Sequence, residues 1–263
     1  MTVSPEIARR YRALFDLTDL VAVVTGGGGG LGSAIARGLA AFGARLVIAD
    51  LDGMLAAKVA QQIVAAGGEA RATTVDVTRP AAVRALADDI AGAEGRADIL
   101  VNAAGVLALA PAEEMSLETW GRVLDVNLTG IFLTTQAIGS LMLRRARGKI
   151  VNLASVSSVV ANPGYAAYAA SKGGVAQLTR VLGVEWCRRG VNVNAIGPAI
   201  VETELTRAYL GDATWRASAL GKIPMGRFGT ADDLVGAAVF LASSASDFMV
   251  GQTIYVDGGR TLG

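Results

Sequence analysis

Five consecutive glycines, Gly26–Gly30, stand between a short apolar segment and a helix-like segment near the start of this chain. The apolar segment, Val21–Thr25, predicts a buried strand, and Leu31–Phe42 predicts a helix that ends before Gly43. Glycine permits a tight turn and a close approach of another molecule to the backbone. The free N–H groups and the dipole at a helix N-terminus favour phosphate. We therefore expect a strand–turn–helix unit that binds a dinucleotide.

The same alternation of apolar runs and helix-like segments recurs along the chain. Six further runs predict strands, over residues 46–49, 72–75, 99–102, 149–153, 191–196 and 253–256. Repeated β–α units predict a parallel sheet with helices on both faces. We expect an α/β fold, a Rossmann-type doubly wound parallel sheet of about seven strands. Residues 1–263 then form a single dinucleotide-binding catalytic domain, with 1–18 as an N-terminal extension and 203–222 as a substrate lid.

Composition excludes several classes of protein. With 263 residues, 52% of them hydrophobic, the chain can build one large core without a second domain. A net charge of +1 gives no reason to expect a nucleic-acid or membrane partner. The chain has no histidine and a single cysteine, Cys187, which excludes histidine-based triads and argues against any metal site. No uninterrupted apolar stretch approaches the ~18 residues of a membrane span, so the expected location is the cytoplasm.

Tyr168 and Lys172 lie four residues apart in a predicted helix, so they share one helix face. Ser155 follows the strand predicted over 149–153. The pKa of free tyrosine, about 10, is too high for an efficient base at neutral pH, and the Lys172 ammonium would lower it. The three side chains could then move a proton on a substrate alcohol. The alternative is a tyrosine packed in the core, a solvated lysine and a serine that caps a helix.

Asp50 ends the second predicted strand, 18 residues after Gly32. A carboxylate at this position can accept hydrogen bonds from both ribose hydroxyls of adenosine, and it repels a 2′-phosphate. No lysine or arginine lies inside the glycine turn or just after Asp50. The sequence therefore favours NAD over NADP as the cofactor. The alternative is that Asp50 only caps the next helix.

These motifs resemble the short-chain dehydrogenase/reductase family. The likeness rests on the pattern Thr-Gly-x-x-x-Gly-x-Gly over residues 25–32 and on Tyr-x-x-x-Lys over residues 168–172. Further similar segments extend it along nearly the whole chain. It implies a catalytic set in which Asn127 holds a water that relays protons to Lys172; the set is Asn127, Ser155, Tyr168 and Lys172. It also implies cofactor contacts from Gly26, Gly30, Leu31, Gly32, Asp50, Asp76, Val77, Asn102, Ala103, Gly105, Tyr168, Lys172, Pro198, Ile200 and Thr203. Ala199 departs from the family's usual glycine, which restricts the turn there.

Substrate specificity is expected in the loops that follow the strands and in the lid. The candidate wall residues are Leu107, Ser157, Tyr165, Glu202 and Trp215. A carboxylate substrate would need a cation, which Arg207 or Arg216 of the lid could supply. A neutral polyol is equally compatible with the sequence, and so is a surface position for both arginines.

The resemblance is to the branch of the family that acts on sugar acids and polyols. It implies an NAD-dependent oxidoreductase that interconverts a secondary alcohol and a ketone of a small molecule by hydride transfer, and a homotetramer. Two alternatives stay open. One is an NADPH-dependent 3-oxoacyl-carrier-protein reductase, which would need a basic residue for the 2′-phosphate. The other is a redox sensor that binds NAD without turnover.

Overall fold

The computed structural model describes residues 4–262, so the first three residues of the predicted N-terminal extension lie outside the described residues. Seven strands form one sheet: β1 (Val21–Thr25), β2 (Arg45–Asp50), β3 (Ala70–Thr74), β4 (Ile99–Asn102), β5 (Gly148–Leu153), β6 (Val191–Pro198) and β7 (Thr253–Val256). Every pair of neighbours is parallel, and the order is β3-β2-β1-β4-β5-β6-β7. The predicted α/β fold is confirmed.

Helices cover both faces of the sheet. They are α1 (Pro5–Arg12), α2 (Gly30–Ala41), α3 (Gly53–Ala65), α4 (Pro80–Ala93), α5 (Leu117–Leu124), α6 (Gly130–Arg145), α7 (Ala166–Trp186), α8 (Glu204–Leu210), α9 (Ala213–Leu220) and α10 (Val235–Ala242). One core cluster joins the sheet to α2, α3 and α10, and a second joins it to α4, α6 and α7. Along β1, Ala22 and Val24 belong to the first cluster and Val21 and Val23 to the second, because successive side chains point to opposite faces.

The strand order places the crevice of the sheet beside β1. Because β2 lies on one side of β1 and β4 on the other, the order reverses there, and ligands of open α/β sheets bind outside the carboxyl ends at such a point. Chain segments that leave the strands at this edge carry most of the predicted site residues. Gly26 follows β1, Asp50 ends β2, Ala103 follows β4 and Ser155 follows β5.

The predicted long helix over 117–145 is interrupted by one π turn. Asp125–Thr129 forms this turn, which joins α5 to α6 without a break in the helix. By length and hydropathy alone the helix over Leu117–Arg145 could cross a membrane, and half of its most apolar window is buried inside the protein. A core helix passes the same test, and α6 packs against β4 and β5.

Two segments have more structure than the sequence predicts. The described part of the N-terminal extension contains α1, whose side chains are all at least partly exposed, so its sequence lacks the buried apolar stripe that would have revealed it. The predicted lid over 203–222 forms the short helices α8 and α9. They pack on a small apolar cluster built from Ala219, Ile223 and Phe228.

Candidate functional site

The glycine turn has the backbone geometry that a dinucleotide needs. Gly26 has φ +65°, and a Cβ atom there would lie 2.5 Å from the backbone nitrogen of Ala104. A Cβ atom on Gly32 would strike the carbonyl oxygen of Gly26. Only glycine fits at these two positions, because the start of α2 lies tightly against the end of β1. The absence of side chains there leaves room for phosphate at the helix N-terminus. The residues present fit a dinucleotide.

A cavity of about 520 Å³ runs from this turn across the carboxyl edge of the sheet. Of the residues predicted to bind the cofactor, twelve line it: Gly26, Gly30, Leu31, Asp50, Asp76, Val77, Ala103, Gly105, Tyr168, Lys172, Pro198 and Thr203. The preceding strands bring these residues together although they are far apart in the sequence. Ala199 also lines the cavity, and it is absent from the described residues with positive φ, so alanine is accommodated where glycine was expected.

Three predicted cofactor residues, Gly32, Asn102 and Ile200, do not line this cavity, and the side chain of Asn102 bonds within the protein. Its amide is fully buried and donates to Thr135 Oγ1 and Asn152 Oδ1, while its carbonyl accepts from Thr134 Oγ1 at 2.7 Å. The side chain of Asn102 therefore ties β4 to β5 and α6. Gly32 acts through packing of the turn, and Ile200 lines a second cavity.

Two of the carboxylates that line the cofactor cavity, those of Asp50 and Asp76, are held by backbone N–H groups. Asp50 Oδ2 accepts from the Gly28 N–H at 2.8 Å, and its Oδ1 accepts from the Asp52 N–H. Asp76 Oδ1 accepts from the hydroxyl and the N–H of Thr78, which lowers the pKa of Asp76. Lys172 is the one basic residue among the described residues that line this cavity. The lining near Asp50 is therefore suited to hydroxyl groups rather than to an additional phosphate.

A second cavity, of about 310 Å³, shares Ser155 and Tyr168 with the first. Ser155 follows β5, and its hydroxyl accepts from the Ser157 N–H at 3.1 Å. Tyr168 and Lys172 lie on one face of α7, with Lys172 Nζ 5.7 Å from the centre of the Tyr168 ring. The three predicted catalytic side chains thus meet at the edge of the sheet. The two hydroxyls stand where the cavities join.

The pKa values of Tyr168 and Lys172 both differ from the ordinary values of these side chains. Burial raises the pKa of Tyr168 to about 12, although a hydrogen bond with Ser155 acts in the opposite direction. Burial also lowers the pKa of Lys172 to about 8, and its ammonium donates to the Leu153 carbonyl at 2.6 Å. The sequence predicts that Lys172 lowers the pKa of Tyr168. The largest cause that acts on the pKa of the Tyr168 phenol is instead its desolvation, which raises it.

Asn127 lies in the π turn, fully buried, and its side chain has protein partners on both ends. Its Oδ1 accepts from the Val106 N–H at 2.8 Å, and its Nδ2 donates to the Val106 carbonyl and to Ser171 Oγ. The side chain therefore holds the segment after β4 against α7. The expected role of Asn127 in holding a relay water stays a prediction.

Four of the five predicted substrate residues line the second cavity: Leu107, Ser157, Tyr165 and Trp215. The fifth, Glu202, does not, and its carboxylate pairs with Arg216 at 3.1 Å. Arg207 pairs with Glu204 at 2.7 Å. Arg207 and Arg216, the two arginines proposed from the sequence as partners of a substrate carboxylate, do not line this cavity.

Five polar residues of this cavity are not among the residues singled out from the sequence: Asn162, Thr206, Ser218, Lys222 and Arg260. For Arg260 a signal was present in the sequence. It closely follows β7, and the carboxyl ends of parallel strands meet at one edge of the sheet.

Comparison with known proteins agrees with this architecture. Residues 27–261 match a family model described as enoyl-(acyl carrier protein) reductase. A D-threitol dehydrogenase of Mycolicibacterium smegmatis is 46% identical over 252 residues, covering 94% of this chain and 95% of the relative. A gluconate 5-dehydrogenase of Gluconobacter oxydans is 39% identical over 252 residues, covering 95% and 97%.

A solved structure extends the likeness to three dimensions. The gluconate 5-dehydrogenase of Burkholderia cenocepacia J2315, in complex with NADP and tartrate, superposes with a TM-score of 0.92 at 42% identity, covering 95% of this chain and 98% of that one. The chain belongs to the short-chain dehydrogenase/reductase family.

Proposed function

We propose that this chain is an NAD-dependent dehydrogenase that interconverts a secondary alcohol and a ketone of a polyol or sugar acid. One observation carries the proposal: Ser155 and Tyr168 stand where the cavity behind the glycine turn joins a smaller cavity. A group in the smaller cavity can therefore reach both hydroxyls and a cofactor held in the larger one. The nicotinamide, when bound, supplies the two-electron acceptor or donor of the reaction.

Tyr168 moves the proton. In oxidation its phenolate oxygen accepts the proton of the substrate hydroxyl, and in reduction its phenol returns a proton to the carbonyl oxygen. Ser155, which forms a hydrogen bond with Tyr168, binds the same substrate oxygen and orients it. The Lys172 ammonium favours the phenolate electrostatically, and the Leu153 carbonyl fixes its position. Asn127 positions the segment that faces Lys172 through its bonds to Val106.

Asp50 supports NAD rather than NADP. Its carboxylate lines the cofactor cavity, and two backbone N–H groups fix it in place. A 2′-phosphate there would meet a negative charge with no basic side chain beside it. The Burkholderia cenocepacia relative was solved with NADP, so the preference of this chain rests on its own carboxylate and requires a direct measurement.

The substrate class is supported by the names of the relatives, which include a D-threitol dehydrogenase and gluconate 5-dehydrogenases. A cavity of about 310 Å³ lies at the small end of ligand pockets, which suits a compact, hydroxyl-rich molecule. A single catalytic domain over residues 1–263, a homotetramer and a cytoplasmic location stay predictions.

The proposal is tested by incubating the purified protein with a panel of polyols and sugar acids, together with simple secondary alcohols, and with NAD or NADP. Absorbance of the reduced cofactor reports turnover. We expect turnover of at least one polyol or sugar acid, with kcat/KM at least about tenfold higher for NAD than for NADP. Turnover restricted to simple alcohols would contradict the substrate class, and a preference for NADP would contradict the role of Asp50.

A further inference from the structure

Ser155 begins a short turn, residues 155–158, that forms part of the wall of the smaller cavity. Ser155, Val156 and Ser157 line that cavity, and Ser158, the last residue of the turn, does not. The Ser155 hydroxyl oxygen accepts from the Ser157 N–H at 3.1 Å, so its own hydrogen is not used by this bond and can be donated to another group. The direction of that donation depends on how firmly the turn is held.

Two hydrogen bonds in series hold the far end of the turn. Ser158 Oγ donates to the Ser155 carbonyl at 2.6 Å and lies 3.0 Å from the hydroxyl oxygen of Tyr255 on β7. A serine hydroxyl has a single hydrogen, and Ser158 gives it to Ser155, so Tyr255 is the donor to Ser158. The series therefore runs in one direction, from Tyr255 through Ser158 to the backbone of Ser155, and each bond polarises the next.

The ring of Tyr255 is fixed in turn by the sheet. Tyr255 is the register partner of Gly197 on β6, and a Cβ atom on Gly197 would lie 2.5 Å from Cδ1 of the ring. The ring thus lies against the backbone of β6, where glycine leaves room for it. Because β6 stands between β7 and β5, the hydroxyl reaches across β6 to the turn that follows β5.

The side chains of Tyr255 and Ser158 lie outside both cavities of the site. Neither residue lines the cofactor cavity or the smaller cavity. Their hydrogen bonds end instead at the carbonyl of Ser155, whose hydroxyl forms a hydrogen bond with Tyr168. Any effect of this series on the chemistry therefore passes through Ser155.

We propose that Tyr255 and Ser158 are positioning residues, which hold the turn of residues 155–158 so that the Ser155 hydroxyl is aimed at the reacting oxygen. This inference rests on the proposed function, which gives Ser155 that role. A small displacement of a hydrogen-bond donor weakens its contact with the transition state more than it weakens substrate binding. Loss of the series should therefore lower kcat and leave KM nearly unchanged.

Kinetics of Tyr255→Phe and Ser158→Ala, with the best substrate of the turnover panel, test this assignment. Each variant removes one hydroxyl, and each should lower kcat about 3- to 10-fold while KM and the dissociation constant of NADH stay within about twofold. The double variant should be no slower than the slower single variant, because both changes break the same series. Tyr11→Phe, the control, removes a hydroxyl from the exposed helix α1 and should leave kcat unchanged.

The same change in a Ser155→Ala background distinguishes positioning from general damage to the fold. Once the Ser155 hydroxyl is absent, removal of the Tyr255 hydroxyl should change the remaining kcat by less than about 1.5-fold. A loss in this background as large as the loss in the wild-type protein would overturn the assignment. An unchanged kcat in Tyr255→Phe would overturn it as well.

NMR provides a readout that needs no substrate. In protein labelled with ¹³C at tyrosine Cζ, the signal of Tyr168, assigned by its loss in Tyr168→Phe, reports the hydrogen bond with Ser155. We expect this signal to shift in Tyr255→Phe in the same direction as in Ser155→Ala. A Tyr168 signal that shifts in Ser155→Ala and stays in place in Tyr255→Phe would overturn the assignment.

The two readouts separate this inference from the proposed function. If the Tyr168 signal shifts in Tyr255→Phe but no polyol or sugar acid is oxidised or reduced, the proposed function fails and the positioning of Ser155 by Tyr255 stands. If a polyol or sugar acid is turned over and Tyr255→Phe changes neither kcat nor the Tyr168 signal, the proposed function stands and the positioning role fails.

Discussion

Lys172 Nζ lies 5.7 Å from the centre of the Tyr168 ring and donates its hydrogen bond to the Leu153 carbonyl rather than to a carboxylate. The charge is thus fixed by the backbone of β5, and within residues 4–262 no carboxylate forms an ion pair with it. This explains why the pKa of Lys172 is lowered to about 8 while that of Tyr168 is raised to about 12. The pair is arranged for proton transfer at a cost in the stability of the folded state.

Replacing Lys172 by methionine should change how stability depends on pH. The folded pKa of about 8 lies below the ordinary lysine value of 10.5, so in this window the unfolded chain binds more protons than the folded chain. The wild-type protein should therefore gain about 1–3 kcal/mol of unfolding free energy between about pH 8 and about pH 10. The Tyr168 phenol opposes this only above about pH 10, its unfolded value.

Urea unfolding of the wild-type protein and Lys172→Met at both pH values measures this difference. The variant should lack the rise, and it should have lost turnover because the phenolate has no cation beside it. If the free energy of unfolding changed with pH in the same way in both proteins, the pKa of Lys172 would not be lowered by burial.

Changing Asp50 to asparagine should shift the cofactor preference toward NADP. Asparagine keeps an acceptor for the Gly28 N–H and removes the negative charge that repels a 2′-phosphate. The ratio of kcat/KM for NADP to that for NAD should rise about 10- to 100-fold. Steady-state kinetics with both cofactors measures the ratio.

Asp52→Asn is the matched control for this change. Asp52 caps α3 through the N–H groups of Met54 and Leu55 and does not line the cofactor cavity, so this variant should keep the wild-type preference. An unchanged ratio in Asp50→Asn would show that another residue selects the cofactor.

Removing the side chain of Asn127 should destabilise the protein. Asn127→Ala leaves the N–H and the carbonyl of Val106 without their partners in a buried site, and we expect a loss of about 2–4 kcal/mol in the free energy of unfolding. Denaturant unfolding measures this loss. A variant as stable as the wild-type protein would mean that water replaces the amide without cost.

The fold could be predicted from the sequence because the strands are covered on both faces. Strands buried in this way read as uninterrupted apolar runs, and Val21–Thr25, Ile99–Asn102 and Thr253–Val256 have the predicted bounds. The ends of other strands differ from the predicted ones by one or two residues, since neighbouring strands, rather than local pattern, decide where pairing stops. Helix α1 was missed because it buries no apolar face.

The candidate site was predictable where a motif fixes the geometry and not where distant segments meet. The glycine turn and the Tyr168–Lys172 pair are local, so spacing sufficed. The bonds of Asn102 depend on Thr134 and Asn152, which only the folded sheet brings near. Lys222 and Arg260 come from the lid and from the segment after β7, and nothing in their local sequences relates one to the other.

The most direct test of the account is turnover by Tyr168→Phe, measured beside cofactor binding in the same protein. The phenol oxygen is the only atom removed, so we expect kcat to fall by about 10²–10⁴-fold while the dissociation constant of NADH stays within about threefold of the wild-type value. A variant that binds NADH normally and turns over the best substrate at the wild-type rate would contradict the assignment of proton transfer to Tyr168.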